Sequence, residues 1–364
     1  MKIQCGVREL IEALAIAASA TAAKSAKQIM MNVFATANGS SLTLYGTDAE
    51  VSASVTLSVS CDGGGDFLIP TRRLSSILAE LMVETVELTV TEKGIRIQST
   101  GVDFRLSNES AAEYPSMSSG QSDKWFKISS VALKKLIQRT IFARDSNSTR
   151  YALGGVLFEV DKGELTCAAT DSRRLAVCNF TVGGEVDLTM RGVIPVKILK
   201  MVDRIAPCEL EVSITDNSIV FRSETMTFTS RVVEGRFPRW RDVVPKKFGI
   251  ELNVMSHMAA TAVRQAMVVT TEESRGVVVS LAEGLVTIKS QSSDVGSSDI
   301  ELMVSAPIDA ECSLTIDPKY VSDFLKCVPA EDLVYWRMND ADSAMMLTDG
   351  ENFRYVIMPL AQDR

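Results

Sequence analysis

The chain states the same pattern three times. Leu68-Ile69-Pro70-Thr71-Arg72-Arg73-Leu74 returns as Val193-Ile194-Pro195-Val196-Lys197-Ile198-Leu199 and, more loosely, as Thr315-Ile316-Asp317-Pro318-Lys319-Tyr320-Val321. The copies stand roughly 120 positions apart, far beyond the roughly 20 to 50 residues of a solenoid unit, so the repeated object is a whole domain. Other landmarks keep the same period. Glycine-bearing turn signals sit at Asn38-Gly39-Ser40-Ser41, Asp161-Lys162-Gly163-Glu164 and Ala282-Glu283-Gly284-Leu285. Each third closes on a bulky residue and a proline: Tyr114-Pro115, Phe237-Pro238, Met358-Pro359. This divides the chain into expected domains 1–121, 122–246 and 247–364, each of ordinary size and able to bury its own core.

Within each third, apolar spacing predicts a helix after an opening strand: Gly6 to Ala20, a second from Ser129 or Ser130, and a third from Ser256 to Val269. Another helix follows each repeated signal, at Thr71 to Leu81, Val196 to Ile205 and Pro318 to Val328; proline is tolerated in a first turn because that N–H has no partner inside the helix. Runs such as Val86-Glu87-Leu88-Thr89-Val90 alternate with period two, which marks sheet with one wet face and one packed face. The expected class is therefore α+β: three similar domains, each with two helices on antiparallel sheet.

With 46% hydrophobic and 23% charged residues, the composition is that of a globular protein. No run approaches the ~18 apolar residues of a membrane span and the N-terminus has no signal-peptide pattern, so a cytoplasmic protein without a membrane partner is expected. The seven cysteines form no CxxC pair and read as reduced, mostly buried thiols. A single histidine, His257, removes most metal sites and acid–base triads; no cofactor is expected.

A net charge of −8 at first argues against nucleic acid, but where the charges sit matters more. The six predicted helices carry twelve basic residues (Arg8, Arg72, Arg73, Lys134, Lys135, Arg139, Lys197, Lys200, Arg204, Arg264, Lys319, Lys326) against six acidic (Glu9, Glu12, Glu80, Asp203, Asp317, Asp323). Repetition of that bias in an acidic protein predicts a shared electropositive face.

Five segments carry a family resemblance: Arg150-Tyr151-Ala152-Leu153-Gly154-Gly155-Val156-Leu157-Phe158-Glu159, Ala169-Thr170-Asp171-Ser172-Arg173-Arg174-Leu175-Ala176, Val233-Glu234-Gly235-Arg236-Phe237-Pro238, Arg275-Gly276-Val277 and Tyr355-Val356-Ile357-Met358-Pro359-Leu360. On these the chain resembles the β sliding clamps, the processivity subunits of bacterial replicative polymerases. The resemblance implies a DNA-clamp fold closed into a ring as a head-to-tail dimer, with helices lining the hole and sheets outside. It implies a partner in double-stranded DNA, held without base reading because phosphate contacts carry no sequence information. Lys24 stands where the family has a DNA-contacting residue; Arg72, Arg73, Lys197 and Lys200 join it as candidates from helix position and charge.

The resemblance also implies a pocket for short linear motifs of the replicative polymerase, the clamp loader and repair proteins. Leu153, Thr170, Leu175, Pro238, Val243, Val356, Met358, Pro359 and Leu360 match its positions, with Ser172, Arg173 and Arg174 in its loop. Here Ser172-Arg173-Arg174 replaces a common Gly-His-Arg, Asp242 replaces an arginine, and the chain runs past Leu360 into Ala361-Gln362-Asp363-Arg364. Phe104, Leu106, Val268 and Val269 match dimer-interface positions. Two competing functions remain. An enzyme lacks support, since there is no GxSxG elbow, no P-loop and no metal-ligand cluster in the sequence. A tandem-domain adaptor that binds peptides without encircling DNA is the alternative.

Overall fold

The hairpins form where the glycine signals stand. Asn38 pairs with Ser41, Asp161 with Glu164 and Ala282 with Leu285, leaving two-residue connections. In the second and third turns both central residues take positive φ (Lys162 49°, Gly163 79°; Glu283 48°, Gly284 76°), the turn geometry whose twist matches that of the flanking strands. The computed structural model describes the chain except residues 23, 25, 26, 108, 117–121, 148, 184–187, 308, 309 and 361–364; the terminal Ala361-Gln362-Asp363-Arg364 lies outside the described residues.

Seven α-helices occur among the described residues: α1 Val7–Ala20, α2 Thr71–Ala79, α3 Ser130–Thr140, α4 Val196–Val202, the short α5 Trp240–Val243, α6 Ser256–Ala266 and α7 Pro318–Leu325. Six answer the expected helices, and α5 was not foreseen. Three end early. The N–H groups of Leu81, Ile205 and Val328 bond three residues back to Leu78, Val202 and Leu325, a tighter turn that closes the helix before its apolar pattern ends. Likewise α6 gives way to a 3₁₀ turn, Met267–Val269.

Two compact units emerge, residues 1–134 with 182–232 and residues 135–181 with 233–364. In the first, α1 buries Val7, Leu10, Ala13, Leu14 and Ala17, one stripe at helical spacing, against sheet residues Val33, Leu44, Leu88 and Ile97. Its larger sheet runs in the order Phe126–Ser129, Glu209–Ile214, Ser218–Arg222, Met226–Arg231, Val51–Ser58, Ser41–Thr47, Val33–Asn38, Gly64–Ile69. The pairing of Ser230 with Val51 thus carries one sheet from the first repeat into the second. A smaller sheet ends on the strand Val102–Leu106, which pairs on one side only among the described residues.

The second unit repeats the device. Its main sheet runs through Val156–Asp161, Glu164–Thr170, Arg174–Thr181, Phe353–Ile357, Met345–Thr348, Leu333–Met338 and Ile250–Met255, and Leu175 opposite Val356 joins the second repeat to the third. The compact units cut through the middle repeat because it lends strands to each neighbour. A four-stranded sheet, ending on Gly296–Met303 and Cys312–Ile316, completes this unit, with α6 packed on α7.

All seven cysteines are free thiols; burial pushes Cys5 up to about 12 and Cys327 to about 11, so both stay protonated at neutral pH. No helix is long and apolar enough to cross a membrane, and no metal-binding cluster occurs among the described residues.

Candidate functional site

A short turn, Thr170 to Arg174, organises the second unit. Thr170 Oγ1 donates to the Arg174 carbonyl at 2.6 Å and accepts from Ser172 N at 3.1 Å. Asp171 Oδ1 accepts from the N–H groups of Arg173 and Arg174, both at 3.0 Å. These side chains satisfy backbone groups that a reversal leaves unpaired, which explains why threonine and aspartate stand side by side at its start. Ser172 sits at φ 73°, the left-handed region that favours glycine. Ser172→Gly is therefore expected to raise stability by up to about 1 kcal/mol, checked by denaturant unfolding; a loss of stability would contradict strain at this position.

Arg174 is the hub beneath the turn. Its Nε bonds Asp171 at 2.9 Å, Nη1 reaches Asp323 at 2.8 Å and the Tyr355 hydroxyl at 3.3 Å, and Nη2 donates to the Phe142 carbonyl at 2.8 Å. Its guanidinium also lies 4.5 Å from the Tyr320 ring centroid. Burial alone would lower the Arg174 pKa, but Tyr355, Asp323 and Asp171 outweigh it and hold the group charged. Burial pushes the Tyr355 hydroxyl well above its usual value despite that neighbour. Arg174 was expected as a pocket residue, and it does line the pocket; its donors, however, serve the fold.

Beside this turn opens a cavity of about 230 Å³. Its wall from the turn comprises Thr170, Ser172, Arg173, Arg174 and Leu175. Pro238, Trp240 and Val243 form another wall, and Val356 with Met358 come from the C-terminal strand. Met358 is 42% and Val243 48% exposed, both high for apolar side chains, whereas Leu175 and Val356 are buried at its floor. The C-terminal segment is docked by Met358 N donating to the Arg173 carbonyl at 2.9 Å.

Three expected pocket residues do not line the cavity. Leu153 is buried in the core. Pro359 and Leu360 pass beyond it: Leu360 N bonds the Thr315 carbonyl at 2.8 Å. Its side chain lies over Gly276, where an added β-carbon would meet Leu360 Cδ1 at 3.2 Å, so the glycine of Arg275-Gly276-Val277 makes room for the tail. Sequence reading missed Arg150 and Trp240. Trp240 starts α5, a helix too short to show a period, and is held by Arg241, which stacks 4.3 Å from its ring and bridges to Glu159 at 2.8 Å. Asp242 is exposed and does not line the cavity.

The first repeat builds the same turn. Thr47 Oγ1 donates to the Val51 carbonyl at 2.9 Å, Asp48 Oδ1 accepts from Glu50 and Val51, and Ala49 takes φ 77°. Here the second carboxylate oxygen meets Lys197 of α4, whose Nζ donates to Asp48 at 2.5 Å and to the Ala20 carbonyl at 3.1 Å. Burial alone would raise the Asp48 carboxyl, but bonds from Lys197, Val51 and Glu50 bring it below its usual value. Lys197, a DNA-contact candidate from helix position and charge, pins α4 to the first repeat and to the carbonyl end of α1, where a cation is favoured.

The other expected cations are differently placed. Lys24, in the connection after α1, is exposed, as are Arg72 and Arg73 on the face of α2 opposite buried Leu74 and Leu78, and Lys200 on α4. Within this unit α1 packs against both α2 and α4. Arg139 departs from the expected pattern: it is 3% exposed, paired with Asp349 at 2.8 Å, and adds nothing to a surface field. Arg204 and Lys326 lie beyond the ends of their helices. Phe104, on the edge strand Val102–Leu106, is 44% exposed with Leu106 half-buried; Val268 is 75% exposed, with Val269 half-buried in the turn after α6.

Against known proteins, three family models match in succession: DNA polymerase III beta subunit, N-terminal domain, over residues 1–118, its central domain over 127–239 and its C-terminal domain over 241–361. The beta sliding clamp of Escherichia coli K12 is 30% identical over 343 residues, covering 91% of this chain and 92% of that one. That of Pseudomonas aeruginosa is 27% identical over 360 residues, covering 96% and 97%. Among solved structures, the Pseudomonas aeruginosa sliding clamp bound to griselimycin superposes with a TM-score of 0.94 at 24% identity over 100% of both chains. The Bacillus subtilis DNA polymerase sliding clamp gives 0.93 at 23% identity over 100% of this chain and 99% of that one.

Proposed function

The chain belongs to the DNA polymerase III beta subunit family, and from that premise we infer that it is a DNA sliding clamp: a non-catalytic replication protein that binds DNA and polymerase, dimerises, and confers processivity by encircling the duplex. The observation that carries this reading is the succession of three family matches along a chain whose sheets pass from repeat to repeat. The domains are 1–121, 122–246 and 247–364. Two copies close head to tail, Phe104 and Leu106 meeting Val268 and Val269 of the second copy. The unpaired edge of Val102–Leu106 and the apolar exposure of Phe104 and Val268 support that assignment.

Lys24, Arg72, Arg73 and Lys200 attract phosphates, while Lys197 holds the helix that presents Lys200. Such contacts give affinity that falls with salt and no preference of sequence, which suits a protein that must move along its partner. The cavity beside the Thr170–Arg174 turn takes short apolar motifs of the replicative polymerase, the clamp loader and repair proteins, with exposed Met358 and Val243 as its contact surfaces. The place of work is the cytoplasm.

The test is topological. Protein loaded on a circular duplex by a clamp loader is expected to stay bound through a high-salt wash and to be released when the circle is cut. Equal retention on linear and circular DNA would instead favour the adaptor that never encircles its partner. Sedimentation at micromolar concentration is expected to give a dimer, and a strictly monomeric species would remove the interface assigned above.

A further inference from the structure

The second residue of the second helix is basic in every repeat: Arg72 on α2, Lys197 on α4 and Lys319 on α7. Position and charge make these three one repeated feature, yet they are not equally available. Arg72 and Lys319 are exposed, and no carboxylate among the described residues lies within ion-pairing distance of either side chain. Only their backbones are engaged, the Arg72 carbonyl accepting from Ser76 and the Lys319 N–H donating to Asp317. Lys197 is half-buried, and its ammonium donates to Asp48 Oδ2 at 2.5 Å and to the Ala20 carbonyl at 3.1 Å.

The pairing grows out of a difference between two like turns. In the Thr170–Arg174 turn one oxygen of Asp171 accepts backbone N–H groups, and the other takes Arg174, three residues on. In the Thr47–Val51 turn Asp48 spends Oδ1 on Glu50 and Val51 in the same way, but the residue three places on is Val51, which has no charge to offer. Oδ2 is left over, and Lys197 takes it. The Asp48 side chain is only 20% exposed and its carboxyl lies below its usual value, so it stays ionised through the neutral range. A pair placed there is screened less than one in open solvent. A phosphate approaching Lys197 must displace a carboxylate that the turn holds in position, whereas at Arg72 it displaces water.

Resting on the DNA reading, we propose that Asp48 is a restraining residue: it withholds Lys197 from the duplex, so that one of three equivalent cations makes no phosphate contact. Asp48 touches no DNA and acts through the lysine, which makes it a positioning residue. The consequence is a looser grip. Each phosphate neutralised by a lysine releases counterions and adds affinity, and a protein that must move along its partner is slowed by every added contact.

The experiment titrates the full chain against a short labelled duplex over a range of salt and reads the slope of log affinity against log salt. Asp48→Asn keeps an oxygen for the N–H groups of the turn and removes the charge that holds Lys197. Its slope is expected to steepen by about 0.9 for each lysine freed, an extra loss of about 3.5-fold in affinity between about 50 and 200 mM salt. Adding Lys197→Gln to Asp48→Asn is expected to bring the slope back. Glu50→Gln removes an equal charge two residues away with no lysine to free, and is expected to leave the slope as it was. Thermal unfolding checks that each variant folds. Lys197→Gln and Arg72→Gln, each in otherwise unaltered protein, put the same question without touching the turn: Arg72→Gln is expected to flatten the slope by about 0.9, and Lys197→Gln by clearly less. An unchanged slope in folded Asp48→Asn, a steepening that survives loss of Lys197 or is matched by Glu50→Gln, or equal flattening by Lys197→Gln and Arg72→Gln overturns the proposal while leaving the DNA reading in place. Failure of the unaltered protein to bind the duplex even at low salt, together with equal retention on linear and circular DNA, overturns the DNA reading as well.

Discussion

Asp349→Ala is expected to destabilise the second unit by about 3–5 kcal/mol and to lower its thermal midpoint by roughly 10 °C, because it strands a positive charge in the interior. Arg139 Nη1 and Asp349 Oδ2 lie 2.8 Å apart with side chains only 4% and 6% exposed, so they form a buried ion pair. The guanidinium lies 5.0 Å from the Phe353 ring centroid and already leaves Nε without a partner. The carboxylate also accepts from the N–H groups of Glu351 and Phe353, at 3.0 and 3.2 Å, so alanine removes the turn bonds together with the counter-charge. Asp349→Asn separates the two effects, since an amide oxygen can keep accepting the turn bonds while the charge is lost. If Asp349→Ala melts like the unaltered protein, the pair is not the structural element its burial implies.

Arg174→Ala is expected to cost a similar amount, about 3–5 kcal/mol, and to abolish peptide binding at the cavity. One side chain ties the turn to α7 through Asp323, to the C-terminal strand through Tyr355 and to the Phe142 carbonyl. Its removal leaves Asp171 and Asp323 facing each other across a vacated site and takes out part of the cavity wall. Arg174→Lys is expected to recover only part of the loss, because a single ammonium cannot reproduce the planar set of donors. Full stability in the alanine variant, measured by thermal and denaturant unfolding, would show that the network contributes nothing net.

These two arginines also mark where sequence reading reached its limit. Both stand at polar positions of plausible surface elements, Arg139 in the last turn of α3 and Arg174 in a turn before a strand. Helix position places Arg139 among the cations of a helix surface, and the family resemblance places Arg174 in the peptide site without showing that its donors are spent on the fold. Their partners, Asp349 and Asp323, lie far along the chain and carry no local sign of the pairing. The pairing of Lys197 was hidden for the same reason: helix position and charge make it a DNA-contact candidate, and nothing local shows that Asp48 of another repeat pairs with it. Trp240 and Arg150 entered the cavity wall from segments with no period to read.

Much of what local chemistry governs was legible, the early closure of three helices and the short α5 excepted. Glycine at the hairpin turns, proline in the first turn of α7 and period-two alternation act over a few residues, and the triplication exposed the domain plan because it needs only self-comparison. The joining of sheets across repeats, the depth of each charged side chain and the true floor of the cavity were decided only in three dimensions. Burial and ion pairing are set by the distance between groups remote in sequence, and a chain's linear order carries that distance only through its fold.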